Sequence, residues 1–431
     1  RPASGVASHR TVRVALIGPV PPRFGGATPG GVATHQAYLA AGLAAIGVDA
    51  PLLATNTCEP AGAPRSDGDR TPFPLYRMPR PARAPRAYLS AVGYGHALAY
   101  ALRIGLSPRR GSRREVLENL LAYRRFLASV NPDLVHVQHP LERCLYVRRV
   151  RDFERWTTPL VVTAHSLWGE HDDATIRELM APNLRAADRV IAVSPHVAQQ
   201  AVGLGVRPGR ISVIRSGVDT DRFQPRERVA ARQRLGLLPE TGVVLFVGNL
   251  EPRKQLDVLL RATASVREQV PDVVLLVVGS GQSAGAQDQT ARLRRLTSAL
   301  GLDNVVRFMG RLDDARLLDA YAAADAFALT STSEAQGIVA LEAMACGLPV
   351  VATAVGGLLD TIEDGVTGFL VPSGAIDAVA DRLVDLLRDG ARRQTVGAAA
   401  RRAVEERFSW PRAIDATLSV YREVFECRPP G

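Results

Sequence analysis

Short apolar, β-branched runs alternate with stretches of helical periodicity along most of the chain, and this alternation leaves few folds open. It is typical of parallel sheets that are covered by helices on both faces, because helical crossovers join consecutive strands. The first series of runs predicts strands at residues 12–18, 49–54, 134–138, 160–164, 190–193 and 211–214. The second predicts strands at 243–248, 273–279, 305–310, 326–329 and 350–354, with helices at 255–269, 288–300, 313–324 and 338–346. Two doubly wound α/β domains follow.

The predicted domains are residues 10–215 and 216–407, each Rossmann-like, with residues 408–427 as a separate C-terminal segment. A length of 431 residues with 46% hydrophobic content suits two cores. The join is expected within the polar segment 216–240, which contains Pro225 and Pro239. Ligands of open parallel sheets bind beyond the carboxyl ends of the strands, so we expect the two domains to face each other across a ligand-binding cleft.

Composition excludes several classes of protein. No apolar run approaches the roughly 18 residues of a membrane-spanning helix, and residues 1–10 lack a signal core, which predicts a cytoplasmic location. The four cysteines lie far apart without metal-binding spacing, so we predict reduced thiols, no metal site and no cofactor. The net charge of +10 comes from scattered arginines without interleaved aromatics, which argues against a nucleic-acid partner. Lys254 is the only lysine in the sequence.

The segment from Cys58 to Arg114 is rich in proline, arginine and glycine and is the least interpretable part of the chain. Helical patches are predicted at residues 88–104 and 115–130. The segment either contacts an acceptor substrate or is simply a solvated surface.

Residues 333–352 give the strongest local signal for a functional site. Glu334 precedes the predicted helix and Glu342 lies two turns into it, so two carboxylates address different parts of one ligand. Gly337 allows a ligand to approach the first helical amides, those of Ile338 and Val339, which form an anion site for a diphosphate. The alternative is an ordinary amphipathic helix, but the neighbours of Glu342 are apolar and leave it little solvated surface.

A second constellation follows the predicted strand 243–248 and includes Asn249, Arg253 and Lys254. Adjacent cations there can neutralise charge on a leaving diphosphate. They oppose the dipole of the helix that follows, which argues against a purely structural role.

The first domain offers weaker signals. Glycines at residues 25–31 precede a helix, and Gly31 can present backbone donors to a phosphate or an acceptor. His165 ends a predicted strand and is a candidate for hydrogen bonding to a sugar. His136 and His139 lie near another strand end without a partner at metal-binding spacing.

The Glu334-x7-Glu342 spacing resembles the signature of retaining glycosyltransferase family four, which has the GT-B fold. Further motifs support the resemblance over nearly the whole chain, at residues 30–35, 163–165, 216–219, 248–254, 356–357 and 365–372. The resemblance implies that Glu334 contacts the hydroxyls of the donor sugar, Glu342 the ribose, Lys254 the diphosphate and His165 the sugar near its C6 hydroxyl. It also implies that Gly31 faces the phosphate and that the C-terminal segment crosses back onto the first domain.

By the same resemblance, the chain transfers a hexose from a nucleotide diphosphate donor, with uridine as the expected base, to a hydroxyl without a metal ion. Small-molecule, glycolipid and polysaccharide acceptors remain open, as do peripheral membrane contact and the oligomeric state. Two residues that are expected to bind the donor depart from the family pattern: Asn249 where an arginine is common, and Gln336 where a phenylalanine is usual. The alternatives are a sugar-nucleotide epimerase or phosphorylase with the same fold, and a non-catalytic subunit that binds nucleotide sugars.

Overall fold

A computed structural model of the protein describes residues 12–24, 31–59, 71–79, 113–167, 175–281 and 286–426. The described residues divide into two compact units. The first unit takes its residues from Arg1–Val193, Ala198–Ile214 and Ile414–Gly431, and the second takes them from Ser194–Val197 and Arg215–Ala413. Apart from the short stretch Ser194–Val197, the second unit is continuous from Arg215 to Ala413, and the chain returns to the first unit at Ile414, within the predicted C-terminal segment 408–427.

A parallel sheet forms the centre of the first unit. Its described strands are β1 (Val14–Gly18), β2 (Leu52–Glu59), β3 (Leu75–Pro79), β4 (Leu134–Gln138), β5 (Leu160–Ala164), β6 (Arg189–Ala192) and β7 (Ile211–Val213). Their order across the sheet is β3-β2-β1-β4-β5-β6-β7. Every residue of β1, β4 and β5 is buried, as expected for central strands covered on both faces.

The second unit is built on another parallel sheet. Its described strands are β8 (Gly242–Val247), β9 (Val273–Val278), β10 (Val306–Gly310), β11 (Ala326–Leu329), β12 (Val350–Thr353) and β13 (Gly368–Val371), in the order β10-β9-β8-β11-β12-β13. The apolar side chains of β8, β9 and β11 lie in one core with those of the covering helices. The strand order reverses direction between β8 and β11, which is where doubly wound sheets bind ligands.

Helices connect most of the described strands in chain order, and the last three follow β13. They are α1 (Gly31–Ala45), α2 (Arg113–Val130), α3 (Glu142–Glu154), α4 (Ala181–Ala186), α5 (Pro195–Gly203), α6 (Arg228–Arg234), α7 (Leu256–Gln269), α8 (Ala286–Ala299), α9 (Asp314–Ala323), α10 (Ile338–Ala345), α11 (Leu358–Thr361), α12 (Ile376–Arg388), α13 (Gly390–Arg407) and α14 (Trp410–Glu426). A π-helical turn occupies Ile176–Met180, and 3-10 turns occupy Pro22–Phe24, Pro208–Arg210 and Pro252–Lys254.

The structure confirms the doubly wound α/β class for both units and adds two strands to the prediction. The strands predicted at 134–138, 160–164 and 326–329 have these bounds in the structure. β3 was not predicted because it lies in the segment rich in proline and arginine, and β13 because it is short and begins with a glycine. The patch predicted at 115–130 lies within α2, whereas residues 88–104 and most of the 58–114 segment fall outside the described residues.

No helix in the described part of the chain combines the length and hydropathy that crossing a membrane requires. Cys144 and Cys346 are free thiols. The cytoplasmic location and peripheral membrane contact stay predictions.

Candidate active site

Two loops of the second unit meet beyond the carboxyl ends of β8 and β11, which are neighbouring strands. The first loop leads from β8 to the 3-10 turn at Pro252–Lys254, and the second leads from β11 to α10. Backbone and hydroxyl contacts join them: Thr332 N donates to Arg253 O at 2.8 Å, and Thr330 Oγ1 donates to Gln255 O at 2.9 Å. The sheet therefore brings the two predicted constellations to one place.

Lys254 and Glu334 form a buried ion pair between these loops. Lys254 is 7% exposed and Glu334 8% exposed, and Lys254 Nζ donates to Glu334 Oε1. Ser331 Oγ donates to the same carboxylate oxygen at 2.7 Å. Burial alone would raise the pKa of the Glu334 carboxyl, but the Lys254 ammonium, the nearby Arg253 and the Ser331 hydroxyl outweigh it and lower that pKa. The carboxylate is thus held ionised and able to accept further hydrogen bonds.

A pair of glycines supports the loop that carries Glu334. Gly357 N donates to Glu334 O at 2.8 Å. A Cβ atom on Gly356 would lie 2.0 Å from Glu334 O, and one on Gly357 would lie 2.0 Å from Ala335 O. Only glycine permits such close backbone packing. The motif at residues 356–357 therefore has a physical role, because it lets the backbone pack closely against the loop that carries Glu334.

The N-terminus of α10 follows directly. Gly337 has a φ of +84°, which is the left-handed region that favours glycine, and it is the residue from which the helix begins. The backbone N–H groups of Ile338 and Val339 lie in the first turn, where an α-helix leaves donors without an intrahelical partner. Together with the helix dipole, these amides can bind an anionic group such as a diphosphate.

Arg253 and Asn249 share a partner that sequence reasoning missed. Glu251 accepts from Arg253 Nε at 3.0 Å and from Asn249 Nδ2 at 3.3 Å. The Arg253 guanidinium also lies 3.5 Å from Ser333 O. Arg253 and Asn249 are thus held in the loop next to Lys254 by a carboxylate. Their predicted contacts with the donor stay predictions. We call Glu251, Arg253, Lys254, Ser331 and Glu334 the second-unit cluster.

Glu342 lies on α10, where the motif predicted it. Tyr321, from α9, donates its hydroxyl hydrogen bond to Glu342 Oε2 at 2.8 Å. Burial raises the pKa of the Glu342 carboxyl to about 7, although the Tyr321 hydrogen bond and the nearby Arg222 oppose this shift. Glu342 therefore changes its charge near neutral pH. Tyr321 is a second partner that the sequence pattern did not reveal.

Gln336 is buried and makes contacts that the sequence did not suggest. Its Oε1 accepts from Ser216 N at 2.9 Å and its Nε2 donates to Ser216 O at 2.9 Å. Both ends of the carboxamide are therefore engaged with one backbone residue. A contact between Gln336 and the donor sugar stays a prediction.

In the first unit, His165 belongs to a network of buried polar side chains. His165 Nε2 lies 2.6 Å from Gln138 Oε1. His136 contacts Thr163 Oγ1 through Nε2 and the Tyr421 hydroxyl through Nδ1, each at 2.7 Å. Gln138 ends β4 and His165 follows β5, so the network lies at the carboxyl ends of these strands. We call these five residues the first-unit cluster.

Burial favours the neutral form of three imidazoles in the first unit, those of His35, His136 and His165. Burial lowers the pKa of His35 to about 4. It also lowers the pKa of His136 to about 3, and the nearby His35 contributes to that decrease. The pKa of His165 is lowered well below its usual value by burial and by the neighbouring histidines. Neutral imidazoles and amides recognise hydroxyl groups through hydrogen bonds rather than through charge.

Gly31 and Asp313 both lie at the N-termini of helices. Gly31 is the first residue of α1 and is exposed, while residues 25–30 of its loop lie outside the described residues. Asp313 caps α9, since its side chain accepts from Arg316 N at 2.8 Å; the prediction that this aspartate begins a helix is confirmed. The described residues contain no group of three His, Cys, Asp or Glu side chains placed to hold a metal ion.

Comparison with known proteins gives matches in both halves of the chain. Residues 29–222 match the family described as "Glycosyltransferase Family 4", and residues 227–403 match "Glycosyl transferases group 1". The D-inositol 3-phosphate glycosyltransferase of Kribbella flavida is 37% identical over 291 residues, which are 63% of this chain and 68% of that protein. The protein of the same name from Actinosynnema mirum is 41% identical over 292 residues, 63% of this chain and 69% of its own. The chain belongs to glycosyltransferase family 4.

Solved structures agree with the family assignment. Sucrose-phosphate synthase from Thermosynechococcus elongatus superimposes with a TM-score of 0.76 at 25% identity and covers 96% of this chain and 100% of its own. Anabaena HepE in complex with UDP-glucose gives a TM-score of 0.74 at 22% identity, with 96% and 99% of the two chains covered. The fold is that of the GT-B glycosyltransferases, and the chain is a glycosyltransferase that uses a nucleotide-sugar donor.

Proposed function

We propose that this family member is a retaining glycosyltransferase that moves a hexose from a UDP-linked donor to an acceptor hydroxyl. The observation that carries the proposal is the buried Lys254–Glu334 pair next to the first turn of α10. A cation, a set of helix N-terminal amides and an ionised carboxylate together suit a sugar joined to a pyrophosphate.

Each group has a distinct role in the proposed reaction. Lys254 and the amides of Ile338 and Val339 bind the diphosphate, and Glu334 accepts hydrogen bonds from hexose hydroxyls. As the bond between the anomeric carbon and the phosphate oxygen breaks, negative charge grows on the diphosphate. Fixed positive groups stabilise that charge without reorganising. Arg253 adds a second cation to the same loop.

Retention of configuration is proposed to follow from attack on the same face from which the diphosphate departs. The acceptor oxygen forms its bond to the anomeric carbon, and its proton passes to the departing phosphate oxygen. The leaving group therefore serves as the base, and no protein nucleophile enters the reaction. In this proposal Glu342 binds the ribose, His165 contacts the hexose, and the positive groups of the second-unit cluster carry the role that a metal ion has in other transferases.

The comparisons support the donor and offer a first acceptor. The HepE structure contains UDP-glucose, which makes a UDP-hexose the first donor to test. The curated relatives are named as D-inositol 3-phosphate glycosyltransferases, so a phosphorylated cyclitol is the first acceptor to test. Glycolipid and polysaccharide acceptors belong in the same panel.

The purified chain is to be screened against nucleotide sugars by protection against thermal unfolding, and the best donor is then combined with each acceptor. We expect release of the nucleoside diphosphate together with a glycoside whose anomeric configuration matches the donor by NMR. Activity is expected to persist in EDTA. Inversion of configuration would contradict the mechanism. An epimerised nucleotide or a sugar phosphate as the product would contradict transfer itself, and lack of turnover with every acceptor would favour a subunit that only binds nucleotide sugars.

A further inference from the structure

The side chain of Gln336 forms hydrogen bonds with both the backbone N–H and the backbone carbonyl of Ser216. Gln336 and Ser216 are each 3% exposed, so neither partner has water as an alternative. The carboxamide accepts from Ser216 N and donates to Ser216 O, both at 2.9 Å. This is the pairing that a neighbouring strand would otherwise provide. Removal of the carboxamide would deprive these buried backbone groups of the hydrogen bonds that Gln336 supplies, which is costly where water does not reach.

Ser216 is part of a backbone segment that is fixed independently of Gln336. We call residues 215–218, with which the chain enters the second unit, the crossing segment. Val218 N donates to Phe408 O at 2.8 Å. A Cβ atom on Gly217 would lie 2.6 Å from the backbone nitrogen of Trp410, so the two backbones are in direct contact. The crossing segment is therefore a rigid support.

The same segment is also tied to the far side of the Glu334 loop. Arg215 makes a bidentate ion pair with Asp360 of α11, with NH2 to Oδ1 at 2.7 Å. Thr361, also in α11, donates its hydroxyl to Gln336 O at 2.9 Å. The backbone of Gln336 thus contacts α11, and its side chain contacts the crossing segment. The Arg215–Asp360 ion pair joins α11 to the crossing segment.

We propose that Gln336 is a positioning residue, whose carboxamide ties the loop that carries Glu334 to the crossing segment and so sets the position of the Glu334 carboxylate against the donor hexose. This inference rests on the proposed function. Only Ala335 separates the two residues in sequence. A displacement of Gln336 therefore moves the Glu334 backbone, and with it the carboxylate. In this role Gln336 acts on the reaction through Glu334, since both ends of its carboxamide are engaged with Ser216.

The test compares Gln336→Leu with Thr263→Val. Leucine has a similar volume without hydrogen-bonding groups. Thr263 is buried in the same unit, its hydroxyl donates to Leu259 O at 2.8 Å within α7, and it serves as a control for the loss of a buried hydrogen bond elsewhere. We expect Gln336→Leu to lower kcat/KM for transfer roughly 10- to 100-fold, as small misplacements of catalytic groups do, and Thr263→Val to leave it unchanged.

A double-mutant cycle with Glu334→Ala separates positioning from a general loss of structure. If Gln336 acts through Glu334, then Gln336→Leu has little further effect on kcat/KM in a chain that already lacks the carboxylate. Single-turnover measurements give the small residual rates. The inference would be overturned by multiplicative effects in the cycle, or by a kcat/KM of Gln336→Leu equal to that of the threonine control. Wild-type activity in Glu334→Ala would instead refute the proposed function itself.

Gln336→Met covers the case in which the leucine variant does not fold. Methionine keeps the unbranched shape of glutamine and removes both hydrogen bonds to Ser216. It is expected to give the same loss of kcat/KM and the same dependence on Glu334. Full activity in a folded Gln336→Met chain would contradict the inference as directly as full activity in the leucine variant.

Discussion

Both clusters lie at the carboxyl ends of neighbouring strands in a parallel sheet, but they have opposite chemistry. The first-unit cluster joins Gln138 and His165 at the carboxyl ends of β4 and β5 through neutral hydrogen bonds. The second-unit cluster, beyond the ends of β8 and β11, holds the ion pair of Lys254 and Glu334. Topology alone therefore selects the location of polar groups in both units. The side chains decide whether the location suits charge or hydroxyl groups.

The difference follows from what surrounds each buried group. In the first unit, burial lowers the pKa of histidines such as His136, to about 3, and so favours their neutral form. In the second unit, the Lys254 ammonium and the Ser331 hydroxyl keep Glu334 ionised in spite of burial. The second environment suits the growing charge of a diphosphate. The first suits the recognition of uncharged hydroxyl groups.

The largest expected effect is the loss of charge from the second-unit cluster. Lys254→Ala and Glu334→Ala are each expected to lower kcat roughly 100- to 1,000-fold while the chain stays folded, because each removes a preorganised group that stabilises the transition state in the proposed mechanism. Thr163→Val in the first-unit cluster removes one neutral hydrogen bond to His136 and is expected to cost no more than about 10-fold in kcat. Steady-state kinetics with circular dichroism checks both statements.

Arg234→Ala is the control for the charge of an ion pair. Arg234 and Asp319 form a bidentate pair in the same unit, and the arginine side chain is 58% exposed. Loss of this pair is expected to leave kcat unchanged, since exposed pairs contribute little. If Thr163→Val lowered kcat more than Lys254→Ala, the comparison between the clusters would be wrong.

The second prediction concerns the free energy of unfolding at lower pH. His136 of the first unit and Glu342 of the second unit are expected to change it in opposite directions on acidification. The folded pKa of His136 is lowered to about 3 against an ordinary value of 6.5, so the unfolded chain binds more protons below pH 6.5 and the free energy of unfolding falls as the pH falls. The folded pKa of Glu342 is raised to about 7 from 4.5, so the folded chain binds more protons between these values. Glu342 therefore makes the fold more stable as the pH falls through 7.

Chemical denaturation at pH 7.5 and pH 5.5 measures both contributions. Between pH 7.5 and pH 5.5, we expect the free energy of unfolding to fall further in Glu342→Gln than in the wild type, by on the order of 1 kcal/mol. The variant lacks the carboxyl whose protonation stabilises the fold in this range. His136→Gln is expected to lessen the fall in the free energy of unfolding by a similar amount. Equal pH dependence in the wild type and both variants would show that neither group titrates as its surroundings indicate.

The sequence predicted the parts of this structure that depend on local pattern. Periodicity and β-branched runs gave strands such as residues 326–329, and the spacing of Glu334 and Glu342 placed one before a helix and the other on it. That Lys254 would meet Glu334 required the two strands to be neighbours, which the doubly wound order supplies. The functional roles of these residues stay predictions.

What the sequence could not give are contacts between side chains that are far apart along the chain. Nothing local to Gln336 indicates Ser216 as its partner, and nothing local to Glu342 indicates Tyr321. Each of these contacts depends on how elements that are separate in sequence pack together. No local sequence pattern indicates that packing. Glu251 was missed for another reason, since its role as a partner of Arg253 depends on the geometry of a 3-10 turn.

The smallest expected effect concerns the reactivity of a single amine. Lys254 is the only lysine in the sequence, so an amine-reactive ester labels this residue and the α-amino group alone. The Lys254 amine is held by its hydrogen bond to the Glu334 carboxylate and must leave that contact before it can attack the ester. We therefore expect Glu334→Gln to label at Lys254 about threefold faster than the wild type, because a neutral amide holds the amine less strongly than a carboxylate does. Mass spectrometry of the labelled peptide gives the rate.

Two controls make this labelling specific to the second-unit cluster. Lys254→Arg is expected to label at the α-amino group only. Glu405→Gln breaks the partly exposed ion pair of Glu405 with Arg401 elsewhere in the same unit, and it is expected to leave the rate at Lys254 unchanged. A bound UDP-sugar is expected to slow labelling, because a diphosphate bound at Lys254 covers its side chain. An unchanged rate with saturating donor would mean that the diphosphate binds away from Lys254, and the contrast between a charged and a neutral cluster would then have no part in donor recognition.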